Sequence, residues 1–64
     1  MIGERGMAEE RLNPEGYISV RGELWRAESI HDVSPIEKGD RIRICGIRGL
    51  TLLVEAERND RLEA

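Results

Sequence analysis

Apolar residues recur at every second position in short runs, and single glycines separate the runs. Over residues 17–21, Ile18 and Val20 fall on one side while Tyr17, Ser19 and Arg21 fall on the other. Over residues 24–29, Trp25, Ala27 and Ser29 share one face, and Leu24, Arg26 and Glu28 share its opposite. The charges on the second set make the Trp25 face the buried one. Residues 41–44 alternate strictly, with Ile42 and Ile44 inward, and over residues 51–57 Leu52, Val54 and Ala56 point inward while Leu53, Glu55 and Glu57 point out. Residues 7–12 give a further edge strand with Ala8 and Leu12 inward, bounded by a glycine and by the turn sequence Asn13-Pro14-Glu15-Gly16.

The breaks between these runs carry turn chemistry. Gly22 and Gly49 supply the positive φ that tight hairpins need, and Gly39-Asp40 turns the chain into the 41–44 strand. Gly46 stands where an inward side chain would follow Ile44, which predicts a bulge or bend. Residues 30–38 form a connector containing Pro35, with Ile36 dipping back into the core as a plug. Five short, strongly turned strands in 64 residues can bury their apolar faces only by curling one sheet onto itself. The pattern therefore predicts an all-β, five-stranded antiparallel barrel of OB-fold type, with an SH3-like barrel as the rival. The expected organisation is a flexible lead-in over residues 1–6, a barrel over residues 7–57 and a charged, fraying tail over residues 58–64. The expected core is Ile18, Val20, Trp25, Ala27, Ile36, Ile42, Ile44, Leu52 and Val54. Trp25 is expected to anchor the interior, so its truncation should cost about 3–5 kcal/mol, comparable with the whole stability of so small a domain.

Composition narrows the chemistry. Hydrophobic residues make up 39% of the chain, with no Phe, so the core must be built mainly from Ile, Leu and Val. The net charge of −3 and pI near 5.1 do not give the basic footprint of a nucleic-acid binder. Arg21, Arg26, Arg41 and Arg43 could form a local basic patch, but Glu23, Glu28 and Glu55 are expected beside it. Nine of the ten basic residues are Arg, and the amides are only Asn13 and Asn59, a balance that leans towards a heat-adapted source. No apolar run approaches the roughly 20 residues of a membrane span, and the opening MIGERGMAEER has no apolar stretch of a secretory signal. The chain as given is expected to be soluble.

Candidate catalytic groups are few. Cys45 and His31 are each alone in the sequence, which rules out an internal disulfide and a multi-cysteine metal site. A Cys45–His31 pair, or a serine (Ser19, Ser29 or Ser34) with Lys38, lacks a supporting constellation. Cys45 reads as a small half-buried strand residue and His31 as a solvated loop residue. Pairs such as Glu9-Glu10 and Glu55 with Glu57 read as a solvated strand face. The glycines fall singly at turns and make no phosphate cradle. The expectation is no catalytic residue, no metal and no cofactor. The outward apolar residues Tyr17, Leu24, Ile47 and Leu53 remain as a candidate interaction surface.

The residue order also resembles a known family. Leu12-x-Pro14-x-Gly16 comes first, followed by Gly22, Trp25, Ala27 and Ser29, then Ile36, Gly39, Ile42 and Ile44, and last Gly49, Leu52 and Val54. This is similar to the C-terminal soluble domain of NfeD-type proteins. The resemblance implies a five-stranded OB-fold barrel and a non-enzymatic, protein-binding role. It implies a stomatin- or flotillin-like membrane scaffold as partner, possible self-association, and a link to membrane protein quality control. It implies a membrane-associated parent protein with this domain on the cytoplasmic side, joined to the membrane by an anchor absent here or by the partner. A nucleic-acid-binding OB module is the alternative, resting on fold alone. The long family members carry a serine protease domain that has no counterpart in this sequence.

Overall fold

The structure is a computed structural model, and it describes residues 2–30 and 35–57. Five strands form it: β1 (Arg5–Ala8), β2 (Glu15–Val20), β3 (Glu23–Ser29), β4 (Arg41–Arg48) and β5 (Thr51–Ala56). They close into one barrel in the order β1-β2-β3-β5-β4, with β4 returning to β1. Each pair is antiparallel except β3 with β5, which run parallel through Ala27↔Leu52, Glu28↔Leu53 and Ser29↔Val54. This departs from an all-antiparallel barrel for a topological reason. Strand direction cannot alternate all the way round a ring with an odd number of strands, so closure leaves one parallel pair.

The interior is aliphatic. Ala8, Leu12, Ile18, Val20, Ala27, Ile36, Ile42, Ile44, Leu52 and Val54 are all buried, and among the described residues Ser29 is the buried polar one. The alternation along β2, β4 and β5 places these side chains on one face, and the curl of the sheet makes that face the inside. Trp25 differs from its expected role. Its register opposite Ile18 puts it on the inner face, but it sits near the start of β3, where the barrel ends. It is only partly buried and packs against the core from its margin.

The first strand also departs from expectation. It lies at Arg5–Ala8 rather than over residues 7–12, because the ladder is fixed by Met7↔Ser19 on one side and Gly6↔Ile42 on the other. The sheet reaches back before residue 7: the Gly3 N–H donates to the Ile44 carbonyl (2.7 Å) and the Ile44 N–H to the Glu4 carbonyl (2.9 Å). Gly6 is required there, since a Cβ on it would stand 2.4 Å from the Ser19 carbonyl oxygen. Leu12 points inward as expected, but through an isolated bridge to Ile36 rather than from a strand.

The two hairpins follow their turn chemistry. Arg21 (φ 52°) and Gly22 (φ 82°) are both left-handed, the arrangement of a two-residue type I′ loop whose twist matches its strands. Arg48↔Thr51 closes the other loop around Gly49 (φ 63°) and Leu50. The expected irregularity at Gly46 is a bulge between Ile44 and Gly46. The fraying of residues 58–64 and the placement of His31 and Ser34 fall outside the described residues.

Candidate functional site

The barrel has two ends built in different ways. At one end the chain folds inward between β1 and β2 and again before β4. Leu12 and Ile36 exchange backbone hydrogen bonds there (Leu12 N–H to Ile36 carbonyl 2.8 Å; Ile36 N–H to Leu12 carbonyl 3.3 Å), and both side chains are buried. The Ala8 N–H to Asp40 carbonyl and Gly39 N–H to Ala8 carbonyl bonds tie the second loop to β1. Gly16 lets Leu12 seat, because a Cβ on Gly16 would lie 2.5 Å from Leu12 Cδ2. This end is plugged.

The other end carries the Arg21-Gly22 and Gly49-Leu50 loops and the start of the first strand. No inward-folded loop covers it among the described residues, and apolar side chains collect at its rim. Leu50 is 88% exposed, Leu24 and Ile2 are each 66% exposed and Ile47 is 50% exposed. Trp25 lies among them on the inner face. The parallel register Ala27↔Leu52, carried two residues back, sets Trp25 level with Leu50, and Ile47 pairs with Leu52 on the same side. The indole Nε1 of Trp25 is buried and has no acceptor among the described residues, which is costly for an N–H in an apolar setting.

The sequence-predicted surface is therefore divided. Leu24 and Tyr17 are diagonal neighbours on the outer face, since Ser19 pairs with Leu24 and Tyr17 with Arg26; Tyr17 is 46% exposed. Ile47 is exposed, but by a different route from Leu24 and Tyr17. The bulge adds one residue, so Ile47 shares the register face of the buried Leu52 rather than pointing out from the wall, and its exposure comes from its place at the open end. Leu53 does face outward, beside Glu28 and opposite Gly46, but it is half-buried. Leu50 and Ile2 were not foreseen. A leucine between Gly49 and the first residue of β5 has no strand alternation to hide it, and that was the available signal for Leu50.

The outer wall is lined with ion pairs. Arg43 donates through Nε and Nη2 to Glu55 Oε2 (3.2 and 2.6 Å), Arg21 pairs with Glu4 (2.6 Å), Arg5 with Glu57 (2.8 Å) and Arg11 with Glu37 (3.6 Å); Arg48 pairs with Glu28. The hydrogen bond to Glu55, and then its charge, holds Arg43 above its ordinary pKa. Burial pushes the Cys45 thiol up, with the Glu55 carboxylate adding to the effect. A thiol so placed is a poor nucleophile at neutral pH. Among the described residues no three His, Cys, Asp or Glu side chains converge as a metal site, and no helix is long and apolar enough to cross a membrane.

Comparison with known proteins agrees with this geometry. The model of the NfeD-like C-terminal, partner-binding domain matches residues 1–55. A membrane-bound protease of Pyrococcus horikoshii is 52% identical over 60 residues, which are 94% of this chain and 13% of that protein. The C-terminal domain of a stomatin operon partner protein from Pyrococcus horikoshii superposes with a TM-score of 0.85 at 52% identity, covering 92% of this chain and 91% of that one. The soluble domain of a Corynebacterium glutamicum membrane protein implicated in regulating membrane protease activity shares the fold (TM-score 0.76, 24% identity, 83% and 86% covered). An all-strand closed barrel, the motif order from Leu12 to Val54 and the family match together place this chain in the NfeD family, as an NfeD-like C-terminal, partner-binding domain.

Proposed function

We propose that this domain binds a stomatin- or flotillin-like membrane scaffold protein through the unplugged end of its barrel, and performs no catalysis itself. The observation that carries the reading is the collection of Leu24, Ile47 and Leu50 at one end, with the opposite end sealed by Leu12 and Ile36. Scattered exposed apolar residues, such as Met7, Tyr17 and Ile30 here, are ordinary on a small protein, whereas the four most exposed apolar ones among the described residues, Ile2, Leu24, Ile47 and Leu50, fall at one end, as a contact surface requires. The similarity to a stomatin operon partner protein supports the choice of partner. On this reading the parent protein is membrane-associated, the domain lies on the cytoplasmic side, and the binding serves membrane protein quality control.

The nucleic-acid alternative has less support. It needs an arginine face clear of carboxylates, and Arg21, Arg43 and Arg48 are each paired with a glutamate. The protease activity named for the Pyrococcus relative belongs to a protein of which this chain spans 13%. Titration calorimetry with the membrane-free part of a stomatin-like protein tests the proposal. Wild-type chain should bind, and Leu50→Asp should weaken binding while leaving the melting temperature unchanged. Equal binding by Leu50→Asp would remove this end from the interface, and absence of any binding would remove the partner.

A further inference from the structure

The unplugged end is also where the barrel wall is incomplete. In the β2–β3 hairpin the two-residue loop makes Val20 and Glu23 a hydrogen-bonded pair, so Ile18 with Trp25 and Gly16 with Ala27 are hydrogen-bonded pairs as well. The parity continues beyond the strand, where the Ser29 N–H donates to the Pro14 carbonyl (2.7 Å). The even-numbered residues of β3 therefore turn their N–H and C=O groups away from β2, towards β5. The Ile30 N–H does so and donates to the Val54 carbonyl (3.0 Å).

The ladder with β5, however, begins only at Ala27↔Leu52. That first parallel pair uses the Arg26 carbonyl, and among the described residues it leaves the N–H and C=O of Leu24 and the N–H of Arg26 without a strand beside them. β5 cannot reach them, because the chain before Thr51 turns through Gly49 and Leu50 back into β4. The result is a short open sheet edge within a barrel otherwise closed. Exposed edges are usually blunted by charge, proline or a covering loop. Here the edge is flanked by Leu24, Trp25, Ile47 and Leu50, with exposed charges at Glu23 and Arg26.

We propose that this edge accepts an extended segment of the partner protein as an added strand. The proposal rests on the partner-binding reading above and specifies how the partner is held. Leu24 and Arg26 would supply the main-chain hydrogen bonds, the recurring basis of strand addition. Side chains on one face of the segment would meet Trp25 and Ile47, and those on the other would meet Leu24 and then Arg26. Arg26 is exposed and forms no ion pair among the described residues, unlike Arg21, Arg43 and Arg48. Charge complementarity thus calls for a carboxylate two residues from an apolar side chain on the outer face of the segment, with an apolar residue between them. A second copy of this chain fits worse. Pairing β3 with itself about Trp25 would set each Arg26 against the Leu24 of its twin, leaving neither an acidic neighbour for the arginine nor an apolar one for the leucine.

Amide hydrogen exchange by NMR, free and saturated with the membrane-free part of a stomatin-like protein, tests this directly. The Leu24 and Arg26 amides should exchange at least about tenfold more slowly in the complex. Leu24→Pro removes a donor that β2 does not use, and Arg26→Glu reverses the charge without touching the backbone. Each should weaken binding roughly five- to tenfold, with the melting curve checking that the variant is folded, while Ile30→Ser at the opposite end should bind as wild type. If the fragment binds but these amides exchange as in the free chain, strand addition is wrong and the partner-binding reading stands. If the fragment does not bind at all, both fall. If the amides become protected with rising concentration of this chain alone, the strand comes from a second copy and the partner version is overturned.

Discussion

The plugged end and the open end are made from the same sheet, yet they use their apolar residues in opposite ways. At the plugged end Leu12 and Ile36 leave the ladder to fill the opening, and both are buried. At the open end Leu24, Ile47 and Leu50 stay at the rim, and Trp25 stops partway into the core with an indole N–H that has no acceptor among the described residues. A small domain has few kilocalories to spare. Leaving leucine and tryptophan surface uncovered at one end forgoes burial that the other end obtains. On the proposed reading, the difference separates a part of the chain that serves stability from one available for binding.

The largest expected effects break the plugged end. Leu12→Ala should cost about 2–5 kcal/mol, measured by urea unfolding, and leave the domain at or below its threshold. Gly16→Ala should cost about 1–3 kcal/mol in the same assay, because its Cβ would meet Leu12 Cδ2 at 2.5 Å and the Arg11 carbonyl oxygen at 2.9 Å. Gly46→Ala is the contrast: its nearest neighbour would be Leu53 Cδ1 at 3.6 Å, an ordinary contact, so the change should stay within about 0.5 kcal/mol. Trp25→Ala should destabilise less than Leu12→Ala, because Trp25 is only partly buried; a larger loss would restore it as the anchor of the core.

Smaller effects sharpen the comparison at the open end. Leu24→Ser and Leu50→Ser should leave unfolding free energy within about 0.5 kcal/mol of wild type, since both side chains are already solvated. The same variants should lose partner affinity in titration calorimetry. The smallest effect concerns Cys45. Its raised pKa means less thiolate at a given pH, so alkylation at pH 8 should be slower in the folded chain than in the urea-unfolded one. The two rates should converge as pH rises past the folded-state value. Equal rates at pH 8 would show the thiol to be unshielded.

Much of the barrel was legible in the alternation. Ile18 and Val20, Ile42 and Ile44, and Leu52 and Val54 each repeat every second residue, and their burial follows from one curled sheet. Ile36 was legible as an apolar residue just after Pro35, at the end of the connector and ahead of the Gly39-Asp40 turn. What could not be read depended on relations between distant segments. The parallel β3–β5 pair follows from ring closure, not from either strand's sequence. The face of Ile47 depends on the extra residue at the bulge, which reverses the parity of everything after it. The start of β1 is fixed by its partners, Ser19 and Ile42, and not by any local signal in residues 1–12. The open end was the least legible, because neither Trp25 nor Leu50 shows its place until the two hairpins are set side by side.

The central claim is that the unplugged end is the binding end. The most direct test is a two-dimensional NMR spectrum of labelled chain, recorded through a titration with the membrane-free part of a stomatin-like protein. The account predicts shifts in the Leu24, Ile47 and Leu50 amides and in the Trp25 indole N–H as it gains an acceptor, with Leu12 and Ile36 unmoved. Shifts centred on Leu12 and Ile36, or on the wall around Arg43 and Glu55 with the indole unchanged, would contradict it.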